Sequence, residues 1–534
     1  MSDAINETFF LAPRPKAPAL VPILIMTAVL LLPALALASN AESGGYMLPQ
    51  AEIEQIAAQA EENGVDIHEQ VFSDEPYEGT ADCLQCHESE GTEMLDTGHF
   101  KWTGKVERIA GLEGMDLGKR DLINNFCVAV DTNEARCTQC HVGYGWEDNT
   151  YDFNNPENVD CLVCHDQSGT YKKGKTTAGR PDPSVDLNRV AMSINTSDSK
   201  PNRENCIACH AFAGGGDNVK HGDISSALAS TSKEIDVHMG TDGANFACVD
   251  CHAANHDPKT GAVNHGIAGQ ELHSVHEGEM QQCTDCHGSQ EVVHRGTSVE
   301  HTLFFDNWHE RLDCQSCHLP KFAQAVSTKT EWYWSDAGQN ISPIPIDPDT
   351  GRPAYDKKKG TFNWEFNVRP VLRWYNGKWD RKVVGVDDTY DEVPIPLATP
   401  LGSHEDPNAM IRPFKLMVGD QVVDPVNKTI MVPHLFGTKT GPNPYWGKFD
   451  WNLAVQDGAL YTGQPFSGEI DFVETTMYLT VNHEIAPAKA ALGYGGIIDG
   501  CMDCHDPGNE YVEWDELGWT GDPLRGGTRA STME

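Results

Sequence analysis

Positive charge is what this chain most lacks. Its 534 residues carry 39 Lys and Arg against 79 Asp and Glu, a formal net charge of −40. With no basic patch to meet phosphates, nucleic acid is excluded as a partner. A field of this sign would steer in a basic partner, although most of the acid reads as solvated surface that keeps the protein soluble. Long hydrophobic runs are missing after residue 38, so no later segment is expected to span a membrane. No fixed repeat period runs along the chain, which excludes a solenoid or propeller array.

The first 38 residues differ from the rest. Arg14 and Lys16 precede an apolar stretch, Ala17 to Ala38, ending in Ala36-Leu37-Ala38 before Ser39. That is the pattern of a secretory signal peptide, residues 1–38. The run is also long enough to stay as an anchor, but Pro33 and the small residues near its end favour cleavage. The mature protein is then expected outside the cytoplasm, in a bacterial periplasm, with no transmembrane segment.

Cysteine is abundant and patterned. Of 17 cysteines, 16 pair as Cys-x-x-Cys followed by His. The pairs are Cys83/Cys86, Cys137/Cys140, Cys161/Cys164, Cys206/Cys209, Cys248/Cys251, Cys283/Cys286, Cys314/Cys317 and Cys501/Cys504. The histidines that follow are His87, His141, His165, His210, His252, His287, His318 and His505. A zinc site or a disulfide framework gives no reason for a histidine after every pair. The spacing is that of c-type haem attachment: two thiols add across the vinyl groups of one porphyrin, and the histidine stands under the iron. Eight covalently bound haem c groups are expected. The chain has 22 histidines; the 14 outside the motifs are ample to give second axial ligands, so low-spin bis-histidine haems should dominate.

The expected fold is a multihaem cytochrome c of short α-helices and loops around a packed haem array, with a Trp-rich, partly β haem-free segment. Residues 39–75 read as an acidic lead with one helix from Pro49 to Asn63, closed by Gly64. Residues 76–320 hold seven motifs, with the porphyrins filling much of the core. Residues 321–495 have no motif but seven of the twelve tryptophans; they read as a structural subdomain or a cover over a substrate entrance. Within them, Arg373 to Trp379 carries Asn376-Gly377 between aromatic residues, a hairpin signal. Residues 496–534 bring the eighth motif and a polar tail.

Two features exceed what electron transfer needs. Cys127 is unpaired, ten residues before Cys137. A lone cysteine is commonly a small buried hydrophobe, yet a thiolate near a cationic iron would be favoured and reactive. The glycine run Gly214 to Gly216 leads into Asp217 and Lys220 and would let backbone approach something large and flat. Lysine is usually a solvated charge; desolvated, it loses its proton and its amine can ligate iron.

At these blocks the chain resembles the octahaem tetrathionate reductase family. The matching stretches are INNFC at Ile123, CTQCHVGYGW at Cys137, VDCLVCHDQSGTYKK at Val159, GGGDNVKHGD at Gly214, DVHMG at Asp236 and LDCQSCHLPKFA at Leu312. YDKKKGTFNWEFNVRPVLRWYNG at Tyr355 and NHEIAPAKAALG at Asn482 continue the match. The resemblance implies one active haem, on Cys137 and Cys140, with His141 proximal, Lys220 as distal ligand, and Asp217 and Cys127 lining the pocket. It implies seven bis-histidine haems, with distal ligands His99, His238, His256, His294, His309 and His483. Between Cys251 and Cys283 the choice among His256, His265, His273 and His276 stays open. It also implies reduction of tetrathionate to thiosulfate, or of nitrite or hydroxylamine to ammonium. The substrate would be a small anion or nitrogen oxide and the electron donor periplasmic or membrane-bound. A conduit with no substrate of its own is the reading from another class.

Overall fold

The computed structural model describes residues 46–198, 200–252, 254–256, 263–267, 280–288, 311–495, 500–509 and 511–529. The signal-peptide reading, His273, His276, His294 and His309 lie outside the described residues, as does the side chain of His256.

The lead is helical and capped as its sequence requires. Helix α1, Gln50–Asn63, follows Pro49 and ends at Gly64, whose φ of 68° allows the left-handed turn. Helix α2, Ile67–Asp74, begins where the Asp66 carboxylate accepts from the His68 amide. Helix α3, Thr80–Met94, carries the first motif and kinks at His87. Later motifs lie on single turns, Leu162–His165, Cys283–His287, Cys314–His318 and Met502–His505, joined by loops.

The Trp-rich segment forms a nine-stranded mixed sheet. Its strands are β1 (Thr328–Tyr333), β2 (Tyr355–Asp356), β3 (Gly360–Glu365), β4 (Val371–Tyr375) and β5 (Trp379–Arg381), then β6 (Ile395–Pro400), β7 (Met410–Asp424), β8 (Thr429–Ile430) and β9 (Asp471–Thr480). Their order is β2-β3-β1-β7-β9-β6-β5, with β4 and β8 also pairing with β7. Strand β7 is the spine: it runs antiparallel to β9 from Phe414↔Thr480 to Val423↔Asp471 and parallel to β1 at Val418↔Glu331.

The expected hairpin at Asn376-Gly377 is not formed. Strand β4 pairs with β7 and strand β5 with β6, never with each other. Side-chain packing overrides the turn signal. The Tyr375 and Trp379 rings both pack edge-on to Phe414, and the Trp379 indole donates to the Tyr375 hydroxyl at 3.0 Å.

Nor is the sheet a separate subdomain. One hydrophobic core joins Trp332, Phe414, Met417 and Met477 to Val106, Ile109, Leu122, Ile123, Phe126 and Val128. Backbone bonds tie the two together: Ile123 donates to Lys382 and Val384 to Asp121. The sheet therefore holds the loop that bears Cys127. It also holds the glycine-rich loop. Lys415, buried on β7, donates from Nζ to the Val219 carbonyl at 2.7 Å, the Lys220 carbonyl at 3.2 Å and Thr328 Oγ1 at 2.7 Å. Exchange of Lys415 for methionine would strip these buried acceptors of their donor, costing about 3 kcal/mol. The expected result is a lower thermal midpoint by circular dichroism and faster proteolytic nicking between Gly214 and Gly222.

Candidate functional site

Five motif histidines face a second histidine across a gap. Ring centroids are 6.2 Å apart for His87 and His68, 6.1 Å for His210 and His99, and 6.4 Å for His165 and His265. They are 6.2 Å apart for His252 and His483 and 5.9 Å for His287 and His238. Two metal–imidazole bonds of about 2 Å each, plus the ring radii, give roughly this spacing. The rings also point the right way. The Nδ1 atoms of His68, His483 and His505 meet Asp66, Asp223 and Asp522 at 3.0, 3.2 and 2.6 Å. A carboxylate on Nδ1 fixes the tautomer and leaves Nε2 for a metal. These residues fit iron held between two imidazoles.

The structure thus brings His99, His238 and His483 each against a motif histidine. It places His265 opposite His165. It also adds His68, which the sequence reading missed. His68 is the only histidine before Cys83, and that was the available signal.

The second motif breaks the pattern. His141 was expected beneath the iron. Instead it leaves the helical turn, with φ −75° and ψ 141°, and its amide bonds Thr138. Its ring is 0% exposed and enclosed by Phe100, Trp102, Trp146, Tyr151 and Phe153, with centroids 5.0–6.3 Å away. Its Nε2 lies 2.5 Å from the Phe100 carbonyl, and its Nδ1 has no partner. The buried ion pair of Lys173 with Asp160, at 2.9 Å, clamps this turn, since the Lys173 ammonium also donates to the His141 and Gly143 carbonyls. Among the described residues, no second histidine faces His141.

Cysteines of different motifs lie near one another: Cys83 near Cys161, Cys206 near Cys248, and Cys283 near Cys314. Cys164 neighbours Cys206 and Cys209, Cys283 and Cys286 neighbour Cys251, and Cys317 neighbours Cys504. The motifs thus run in a line from first through third to eighth. The second joins at the fourth, where Cys140 Sγ lies 4.0 Å from the Cys209 carbonyl.

Cys127 sits at that branch and is felt by Cys137. Its amide is held by the Asn124 side chain at 2.7 Å, and Val128 beyond it has φ 72°. A β-branched residue in that region is strained, and strain of this kind collects at functional sites. Burial pushes the Cys127 thiol up, against Lys359, Lys329, Arg136 and Lys119, which pull it down. Asp217 spends both carboxylate oxygens on Ser226, at 2.9 Å to its amide and 2.5 Å to its hydroxyl. It anchors the loop rather than facing a substrate. The Lys220 charge acts on His210, and its carbonyl is the one Lys415 holds.

Comparison with known proteins agrees with these motifs. A family model for bacterial cytochrome c matches residues 329–508, and one for cytochrome c554 and c-prime matches residues 82–166. An uncharacterised protein of Archaeoglobus fulgidus is 28% identical over 258 residues, which is 39% of this chain and 84% of that protein. The crystal structure of an octahaem cytochrome c from Shewanella oneidensis superposes with a TM-score of 0.72 at 35% identity, over 86% of this chain and 98% of that one. The fold is that of a multihaem cytochrome c, and covalent haem c follows from it.

Exchange of His68 or His265 for alanine is expected to convert one haem, and one only, to high spin in electron paramagnetic resonance of the oxidised protein. A second prediction concerns Glu134, 2% exposed, which accepts from the Tyr461 hydroxyl at 2.6 Å. Burial raises its carboxyl from 4.5 to about 7. Between those values the folded protein keeps a proton that the unfolded chain loses, so stability falls as pH rises. Glu134→Gln should remove on the order of 3 kcal/mol of that fall, read as a flatter thermal midpoint from pH 5 to pH 8.

Proposed function

The chain belongs to the octahaem c-type cytochromes, and from that premise we propose that it is a periplasmic reductase. Its substrate would meet the haem on Cys137 and Cys140, and that substrate would be tetrathionate. The observation that supports the reading is that five motif histidines face a second histidine while, among the described residues, none faces His141. His141 is the proposed proximal ligand there and Lys220 the distal one, whose displacement would open one iron face to substrate. Motifs with paired imidazoles have no such face. His294 and His309 remain proposed distal ligands.

The haems, once attached, supply single-electron transfer along the line of motifs. Tetrathionate takes two electrons into its central sulfur–sulfur bond, which breaks to give two thiosulfates and needs no proton. The chain's part is to bind and orient a dianion where charge grows on the parting sulfurs. Fixed cations aimed at that charge stabilise the transition state. The neutral Cys127 thiol lines the pocket without repelling the anion. Asp217 sets the loop through Ser226. Electrons would enter from a periplasmic or membrane-bound donor.

One observation favours a second reading. Glu134, at about 7, and Asp131, at about 6, are buried carboxyls near Cys137 that can carry protons at neutral pH. Reduction of nitrite or hydroxylamine to ammonium consumes protons, and tetrathionate cleavage does not.

The test is turnover by the holoprotein reduced with a viologen dye, offered tetrathionate, nitrite and hydroxylamine separately. Tetrathionate is expected to oxidise the dye fastest, and Lys220→Leu to lower that rate by at least about tenfold and to alter the spectrum of one haem. A wide margin for the nitrogen compounds would overturn the sulfur reading. Absence of turnover with all three would leave an electron conduit.

A further inference from the structure

Asp160 and Lys173 form an ion pair at 2.9 Å, with side chains 0% and 5% exposed. The pair lies where two motifs abut. Asp160 immediately precedes Cys161 of the third motif, and its amide donates to the carbonyl of Val142, one residue beyond the second. For stability alone, an apolar pair of similar volume would serve this junction as well.

Each charge faces a different motif. The Lys173 ammonium spends its three N–H groups on Asp160, the His141 carbonyl and the Gly143 carbonyl. Two of those acceptors belong to the turn that follows Cys140. The Asp160 carboxylate accepts from the Val163 amide at 3.2 Å, within the third motif's helical turn Leu162–His165. The Tyr144 and Tyr171 hydroxyls also donate to it. Lys173 is among the charges felt at Cys140 and His141. Asp160 is felt at Cys161 and Cys164, and at Cys164 it outweighs Lys173. The pair is thus a buried dipole, with its positive end on the second motif and its negative end on the third. Lys119 is felt at Cys140 and His141 as well, but it is part-exposed, where solvent screens it. Buried charges are screened far less and act over a longer reach. A positive end favours an added electron, and a negative end disfavours one.

We propose that the Asp160–Lys173 pair raises the reduction potential of the second-motif haem relative to the third, so that electrons entering the line settle at the second. One electron leaves one iron, which is oxidised, and reaches the other, which is reduced; no bond and no proton moves. The inference concerns where electrons rest, and it holds whichever acceptor takes them. Both residues act through the haems and are positioning residues.

The test is potentiometric titration of the holoprotein, followed by absorption in mildly acidic buffer. Cys140→Ser leaves the second-motif haem one unreacted vinyl group, which moves its absorption band to longer wavelength and lets that haem be followed by itself. Cys164→Ser marks the third-motif haem in the same way. The second haem is expected to be reduced before the third. In the marked protein, Lys173→Met should lower the second haem's potential by at least tenfold in equilibrium constant, about 59 mV for one electron. Lys173→Arg, which keeps the charge, should return it. Asp160→Asn should raise the third haem's potential by a similar factor. A merely structural role would not give shifts of opposite sign. Shifts in one direction from both variants, an unchanged second haem in Lys173→Met, or earlier reduction of the third haem in the parent overturns the proposal. Asp160→Asn keeps the shape and an acceptor oxygen, so it tests the sign even if Lys173→Met fails to fold.

Discussion

Two imidazoles do not hold themselves about 6 Å apart for their own sake, and five such pairs set the layout of this protein. Each gap is the width of an iron and its two nitrogen bonds. Two of the rings, His68 and His483, are aimed from behind, where Asp66 and Asp223 accept a hydrogen bond from Nδ1 and turn Nε2 toward the gap. Helices near the motifs are short because they need only place one ring. The macrocycles supply the apolar surface that long amphipathic helices supply elsewhere.

The second motif shows the same physics in reverse. His141 turns its Nε2 to the Phe100 carbonyl, inside five aromatic rings, and Lys173 and Asp160 lock the backbone that allows it. A buried pair of this kind is costly to break, so the course of the backbone at His141 is built into the fold. Beside it Val128 holds a φ of 72°, and Lys359 and Lys329 act on Cys127.

Much of this was legible in the residues. The spacing of sixteen cysteines and eight histidines carried the cofactor and the fold class, because thioether attachment tolerates little variation. The resemblance pointed to Cys127 and Lys220. Other features were not legible. His68 lies in an acidic lead that reads as plain helix, and nothing local marks it as a partner of His87. The Asn376-Gly377 signal was real as a turn but not as a hairpin, because Tyr375 and Trp379 found a better neighbour in Phe414.

The sequence by itself determined the covalent chemistry: which cysteines hold haem, which histidines follow them, and the excess of acid. These depend on bonds between residues one to four places apart. Only the tertiary structure decided which second histidine meets each of five motifs, and that a haem-free sheet holds the loops bearing Cys127 and Lys220. Those outcomes depend on burial and hydrogen bonding between residues up to about 300 places apart, such as Asn125 and Met417, and no local pattern records them.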